Sequence, residues 1–138
     1  MSRSTSAWHE MNEPVIREFR ANSGVVRSYR WPVILLTTTG AKSGRAHPTP
    51  LNYSQDGEKL VVIASKGGSA GHPDWYLNIP HVTVEHGGET FSAIARVAKE
   101  PERTRLYDRQ AAQMAFFDGY RRRVKARQIP VVVLERDG

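Results

Sequence analysis

Trp31-Pro32-Val33-Ile34-Leu35-Leu36-Thr37-Thr38, together with His47 to Ser54 and Lys59 to Ser65, decides the fold of this chain. The first segment is apolar and β-branched almost throughout, which predicts a buried strand. His47 to Ser54 alternates well enough for a second strand, and Gln55-Asp56-Gly57-Glu58 reads as a hairpin turn into a third, Lys59 to Ser65. Small, glycine-punctuated, basic residues fill the loop Thr39 to Arg45. A second such loop, Lys66-Gly67-Gly68-Ser69-Ala70-Gly71, leads to His72-Pro73-Asp74 and a short helical turn carrying Trp75, Tyr76 and Leu77.

Further along, Val82 to Glu85 and Glu89 to Val97 pair across His86-Gly87-Gly88. Pro101 and Glu102 suit the first turn of a helix ending about Met114. A short aromatic and arginine-rich segment, Phe116 to Arg127, precedes a last strand, Val131 to Glu135. Upstream, Trp8, Met11, Val15, Ile16 and Phe19 fall on one helical stripe, with Pro14 expected near the first turn and Asn22-Ser23-Gly24 as the stop. About six short strands joined mostly by hairpins predict an α+β chain built on a small antiparallel barrel. Residues 1–30 form the helix and lead-in of a single domain, and residues 31–138 the barrel.

The chain has 138 residues and no cysteine, which excludes a disulfide scaffold, a thiolate nucleophile and any Cys-ligated metal. No apolar run approaches the roughly 18–20 residues of a membrane helix, and the start does not read as a secretory signal, so a cytoplasmic location is expected. The amphipathic start, Trp8 to Phe19, suits packing over the barrel better than peripheral membrane contact. Lys and Arg number 20 against 14 Asp and Glu, a net charge of +6, and this surplus favours anionic partners.

The positive charge gathers at both glycine loops. In the first, glycines free backbone N–H groups for an anion, Ser43 can donate, and Lys42 and Arg45 supply charge. It is no Walker A loop, because Ala41 and Leu36 stand where that spacing needs glycine and a strand follows. Ala64-Ser65-Lys66-Gly67-Gly68 repeats the recipe. Either loop alone is equally a solvated turn; two together favour an anionic ligand. Trp75 and Tyr76 form the wall of a pocket for a planar ring, or else Trp75 simply caps the end of the barrel core. The arginines of Phe116 to Arg127 are either a nucleic-acid patch or the solvated face and C-terminus of a helix. Tyr120 carries a phenol that can donate a proton. The five histidines lack metal-ligand spacing, so no metal is expected, and neither a nucleophile elbow nor a dinucleotide fingerprint is present.

These motifs, in order and over nearly the whole chain, resemble the deazaflavin-dependent nitroreductase family. The likeness rests on Val33 to Arg45 with Pro48-Thr49-Pro50-Leu51, on Ile63 to Gly68, on His72 to Asn78 and on Ile129 to Arg136. The resemblance implies a split β-barrel related to FMN-binding barrels, here taking coenzyme F420, an 8-hydroxy-5-deazaflavin with a phosphate and an oligoglutamate tail. Carried over, Lys42 and Ser43 hold phosphate and tail with Arg45 nearby, and His47 stands where arginine is common. Pro48 and Thr49 contact the ring, Ala64, Ser65 and Lys66 frame it, and Trp75 and Tyr76 close the pocket. Phe117 and Tyr120 correspond to two pocket tyrosines, leaving only the second hydroxyl, on Tyr120, as proton donor.

The implied reaction moves a hydride from reduced F420 to an activated alkene, quinone or nitroaromatic, by a monomer or homodimer. A flavin-binding barrel and a basic nucleic-acid-binding or non-catalytic cofactor-binding module are the competing readings. No specific nucleic-acid partner is expected. Gel-shift titration with duplex DNA should therefore show weak retention at low salt that vanishes at physiological salt, since release of counterions is the only driving force. Tight binding at physiological salt would contradict this.

Overall fold

The computed structural model describes residues 3–39, 46–66, 72–124 and 128–137. In chain order the elements are α1 (Arg3–Ala21), β1 (Val33–Thr39), β2 (Ala46–Asn52), β3 (Ser54–Asp56) and β4 (Lys59–Ile63). Then come α2 (Asp74–Leu77), β5 (His81–His86), β6 (Glu89–Val97), α3 (Glu102–Gln113), α4 (Phe116–Arg123) and β7 (Val131–Arg136). The strands form one sheet in the order β2-β1-β5-β6-β7-β4-β3, antiparallel at every step.

The sheet has seven strands where about six were expected, because Tyr53 divides the segment His47 to Ser54. β2 and β3 stand at opposite ends of the strand order, yet this one residue joins them. Two Cα–Cα steps span at most about 7 Å, so the two edges must meet there and the sheet curls into a barrel. β2 and β3 run in the same direction as one bent strand, paired first with β1 and then with β4. β3 faces only Lys59, Leu60 and Val61 of β4. Among the described residues, no ladder joins β2 to the last part of β4. The barrel is split at that point.

Burial explains the apolar strands. Ile34, Leu36, Leu60, Val62, Val82, Val84, Ala93, Ala95, Val132 and Leu134 fill the interior. Their sequence neighbours face outward: Val33 and Leu35 under Ile16 and Phe19 of α1, and Val61, Ile63, Val131 and Val133 under Leu106, Tyr107, Met114 and Phe117 of α3 and α4. Strands covered on both faces read as unbroken apolar runs, whereas β5 alternates because its outer face is only partly covered.

α1 begins at Arg3, so Pro14 lies inside the helix rather than near its first turn. Its missing N–H forgoes one helical hydrogen bond, which packing of Ile16 and Phe19 offsets. Arg20 clamps the helix end to Glu85 of β5 with two hydrogen bonds of 3.1 and 2.9 Å.

Beyond α1, Gly24 has φ +96, and a Cβ there would stand 2.5 Å from the Gly87 Cα in the β5–β6 turn. Gly57, in the β3–β4 turn, has φ +63 but open space around it. Gly24→Ala should cost about 2–4 kcal/mol through combined strain and backbone collision, and Gly57→Ala only about 1 kcal/mol. Denaturant midpoints of the two variants check the difference; equal losses would remove the Gly24–Gly87 contact from the account.

Candidate active site at the split end of the barrel

Alternation of direction along the ladder puts β1, β6 and β4 parallel to one another. The chain therefore leaves β1 and β4 at the same end of the barrel, and both glycine loops start there. β5 and β7 begin at this end too, so α2 and the segment after α4 also arrive there. Distant stretches of sequence are gathered by topology alone.

Lys42, Ser43 and Arg45 lie outside the described residues, and so does the side chain of His47. The strands flanking that loop are fixed: Thr39 pairs with Ala46, Thr38 with His47, Thr37 with Pro48 and Leu36 with Thr49. Thr49 shares the interior register of Leu36, and Thr49 and Pro48 are both half-buried. Pro48 and Pro50, two apart on β2, have no N–H for a further strand at its open edge. Thr38 continues the interior register of Ile34 and Leu36. It is 2% exposed, and its hydroxyl has no hydrogen-bond partner among the described residues. Such a group costs about 1–3 kcal/mol unless something bonds to it.

Across the gap, Ala64 is buried in the interior cluster and its N–H donates to the Pro130 carbonyl at 2.9 Å. Ser65 is buried, and its N–H turns back to the Ile63 carbonyl at 2.9 Å. Lys66 is half-buried with φ +49, a left-handed conformation that a lysine adopts only where its surroundings enforce it. Trp75 is 5% exposed and packs in the barrel interior beside Ala64, while Tyr76 is half-buried and meets it edge-on at 6.2 Å. Trp75 thus caps the core, and Tyr76 lies half-buried beside it.

α4 packs on the outer face of the sheet, in the cluster that holds Ile63, Ile129 and Val131 at this end. Phe117 is 4% exposed and sits in the cluster beneath α3 and α4, with Val61 and Ile63 of β4. Tyr120 is half-buried and Phe116, one turn before it, takes the half-exposed place beside it, the rings 5.6 Å apart at 65°. Phe116 and Thr38 were missed in the sequence. A helical phase pairing 116 with 120 and a strand register running 34, 36, 38 would have found them.

The placement of α4 depends on a charged frame. Arg103 donates to the Ile129 carbonyl at 3.1 and 2.8 Å. It and Arg121 lie over the buried Tyr107 ring, 5.4 and 4.8 Å from its centre. The Tyr107 hydroxyl donates to the Phe117 carbonyl. Arg121 reaches Asp108 on α3 and Asp118 on α4, and Arg122 also binds Asp118. The hydrogen bond from Arg121 holds the Asp118 carboxyl below the usual carboxylate range.

A carboxyl whose folded pKa is depressed stabilises the fold above its unfolded value, near 4, and that contribution is lost as pH falls through the folded value. The frame should thus hold at pH 5 and weaken toward pH 3. Asp118→Asn should lose less stability than the parent chain between those conditions, measured as urea midpoints; an identical loss would show that Asp118 carries none of the acid sensitivity.

Residues 10–136 match the F420H(2)-dependent quinone reductase family. An F420H(2)-dependent quinone reductase of Mycobacterium tuberculosis is 37% identical over 111 residues, 76% of this chain and 74% of that protein. A solved F420-H2 dependent reductase is 34% identical with a TM-score of 0.69, covering 75% of this chain and 94% of its own. A second solved structure, a domain-swapped dimer, is 32% identical with a TM-score of 0.71, covering 96% of this chain and all 100% of its own. On these grounds the split barrel and the length of the match have one account: the chain belongs to the F420H(2)-dependent quinone reductase family.

Proposed function

We propose that this oxidoreductase reduces a quinone by two electrons, taking reduced F420 as a dissociable cosubstrate at the split end of the barrel. Family membership supports the cofactor and reaction class, and the observation that carries the site is the buried Thr38 hydroxyl, unpartnered among the described residues, on β1 next to a gap that no described ladder closes. This donor set fits a planar group with an anionic tail.

Lys42 and Ser43 bind the phosphate and carboxylates, with Arg45 and His47 at the margin. Pro48 and Thr49 on one side and Ala64, Ser65 and Lys66 on the other hold the ring system. Trp75 supports it from within the barrel, and Tyr76 closes the rim. When bound, the reduced deazaflavin supplies a hydride, while the protein fixes the approach and keeps water out. Phe117 backs the substrate pocket from the core, and the Tyr120 hydroxyl gives a proton to the reduced quinone. Alkenes and nitroaromatics are further electrophiles that the same transfer serves.

We assign the reaction to the cytoplasm, because a phosphate- and carboxylate-bearing cosubstrate stays there; among the described residues no helix is long and apolar enough to cross a membrane. The domain-swapped relative supports a homodimer for this chain.

Equilibrium titration with oxidised F420 and with FMN, side by side, tests the reading. F420 should bind preferentially, and Lys42→Ala should weaken it about tenfold or more. Tyr120→Phe should lower turnover with a quinone while leaving F420 affinity in place. Binding of FMN alone would keep the barrel and overturn the cofactor, and unchanged F420 affinity in Lys42→Ala would remove that loop from the site.

A further inference from the structure

Three arginines close α4, and they are not equivalent. Arg121 is held by Asp108 and Asp118, and Arg122 by Asp118 at 2.6 Å. Arg123 has no carboxylate within ion-pair distance among the described residues. Its guanidinium lies over the Tyr120 ring instead, 5.4 Å from the ring centre. Tyr120 in turn meets Phe116 edge-on. Along one side of α4 the chain therefore carries an aromatic ring, a phenol hydroxyl and a cation without a neutralising carboxylate among the described residues, on the cluster that holds Ile63 and Val131 at the split end.

Favouring the helix C-terminus accounts for basic residues here in general, but Arg121 and Arg122 already supply that charge beside a shared aspartate. It does not account for a guanidinium held against the one half-buried phenol of the helix. A planar guanidinium stacked on a ring keeps its N–H edge free for an anionic oxygen.

We propose that Arg123 binds the quinone oxygen on which negative charge develops, with the Tyr120 hydroxyl as second donor and Phe116 as the flanking ring. The inference rests on the quinone-reductase reading. Hydride addition brings one hydrogen and two electrons to the quinone: one oxygen becomes a hydroxyl, the ring becomes aromatic and the other oxygen carries the negative charge. The hydride donor is oxidised in the same step. A proton from the Tyr120 phenol then completes the hydroquinone, and water restores the phenol. Arg123 attracts the charge that exists after hydride arrival and not before, so it favours the transition state over the neutral substrate.

The probe is 4-nitrophenolate, an anionic mimic of the hydroquinone monoanion, titrated by its absorbance into the full chain loaded with oxidised F420 at mildly alkaline pH. Arg123→Gln should weaken its binding about tenfold at low salt, Arg123→Lys should retain much of it, and high salt should narrow the gap because the site is exposed. Arg122→Gln, with its carboxylate partner on α4, should bind like the parent. In turnover, Arg123→Gln should lower kcat for quinones about tenfold with little change in KM and none in F420 affinity. If the parent chain reduces quinones and Arg123→Gln equals it in both phenolate binding and kcat, the assignment of Arg123 falls alone. If the parent reduces no quinone with reduced F420, the functional reading falls and the oxyanion role falls with it.

Discussion

A single residue sets the shape of this molecule. Tyr53 joins the two strands that end the ladder, and no flat sheet can have its first and last members one residue apart. Closure follows, and the split lies where the second edge of β2 stays unladdered among the described residues, its Pro48 and Pro50 having no N–H to offer β4. Tyr53 is itself fixed at the bend, its hydroxyl 2.9 Å from His86 Nε2 and the rings edge-on at 5.2 Å. The seam is thus a consequence of how the barrel shuts.

Layering supplies the stability. The interior cluster and two outer clusters together bury most large aliphatic side chains of the strands, each contributing about 1.5–3 kcal/mol relative to exposure. The ion pairs on the surface, such as Arg96 with Glu102 and Glu135 or Asp56 with Arg105 and Arg109, contribute on the order of 0–1 kcal/mol each. Their service is positional: they orient α3 against the sheet. The Tyr107 frame does the same for α4, and the exposed side of α4 can then vary without disturbing the core.

Much of this was legible in the sequence, for physical reasons. Alternation and apolar runs located nearly every strand, and the two-residue turns at Gly57-Glu58 and Gly87-Gly88 announced their hairpins. The break at Tyr53 was not legible, since alternation says which face a residue takes but not which strand it pairs with. Pro14 misled because a proline marks a first turn only when no helix precedes it. For the site, composition identified the two loops, yet their common end depends on strand order, which no local pattern encodes. The resemblance pairs Phe117 with Tyr120, and the packing of α4 shows Phe117 in the core with Tyr120 against both Phe116 and Phe117. The distinction among the three arginines required knowing where Asp108 and Asp118 lie.

The prolines of β2 have a consequence beyond the site. A barrel left open along one strand exposes backbone that any extended segment, including the same strand of another molecule, could join. Pro48 and Pro50 present carbonyls there without matching amides, so a recruited strand would find half of its ladder missing. The seam can stay open for a small molecule while resisting edge-to-edge aggregation, and substitutions at these prolines bear on the solubility of the chain as much as on its chemistry.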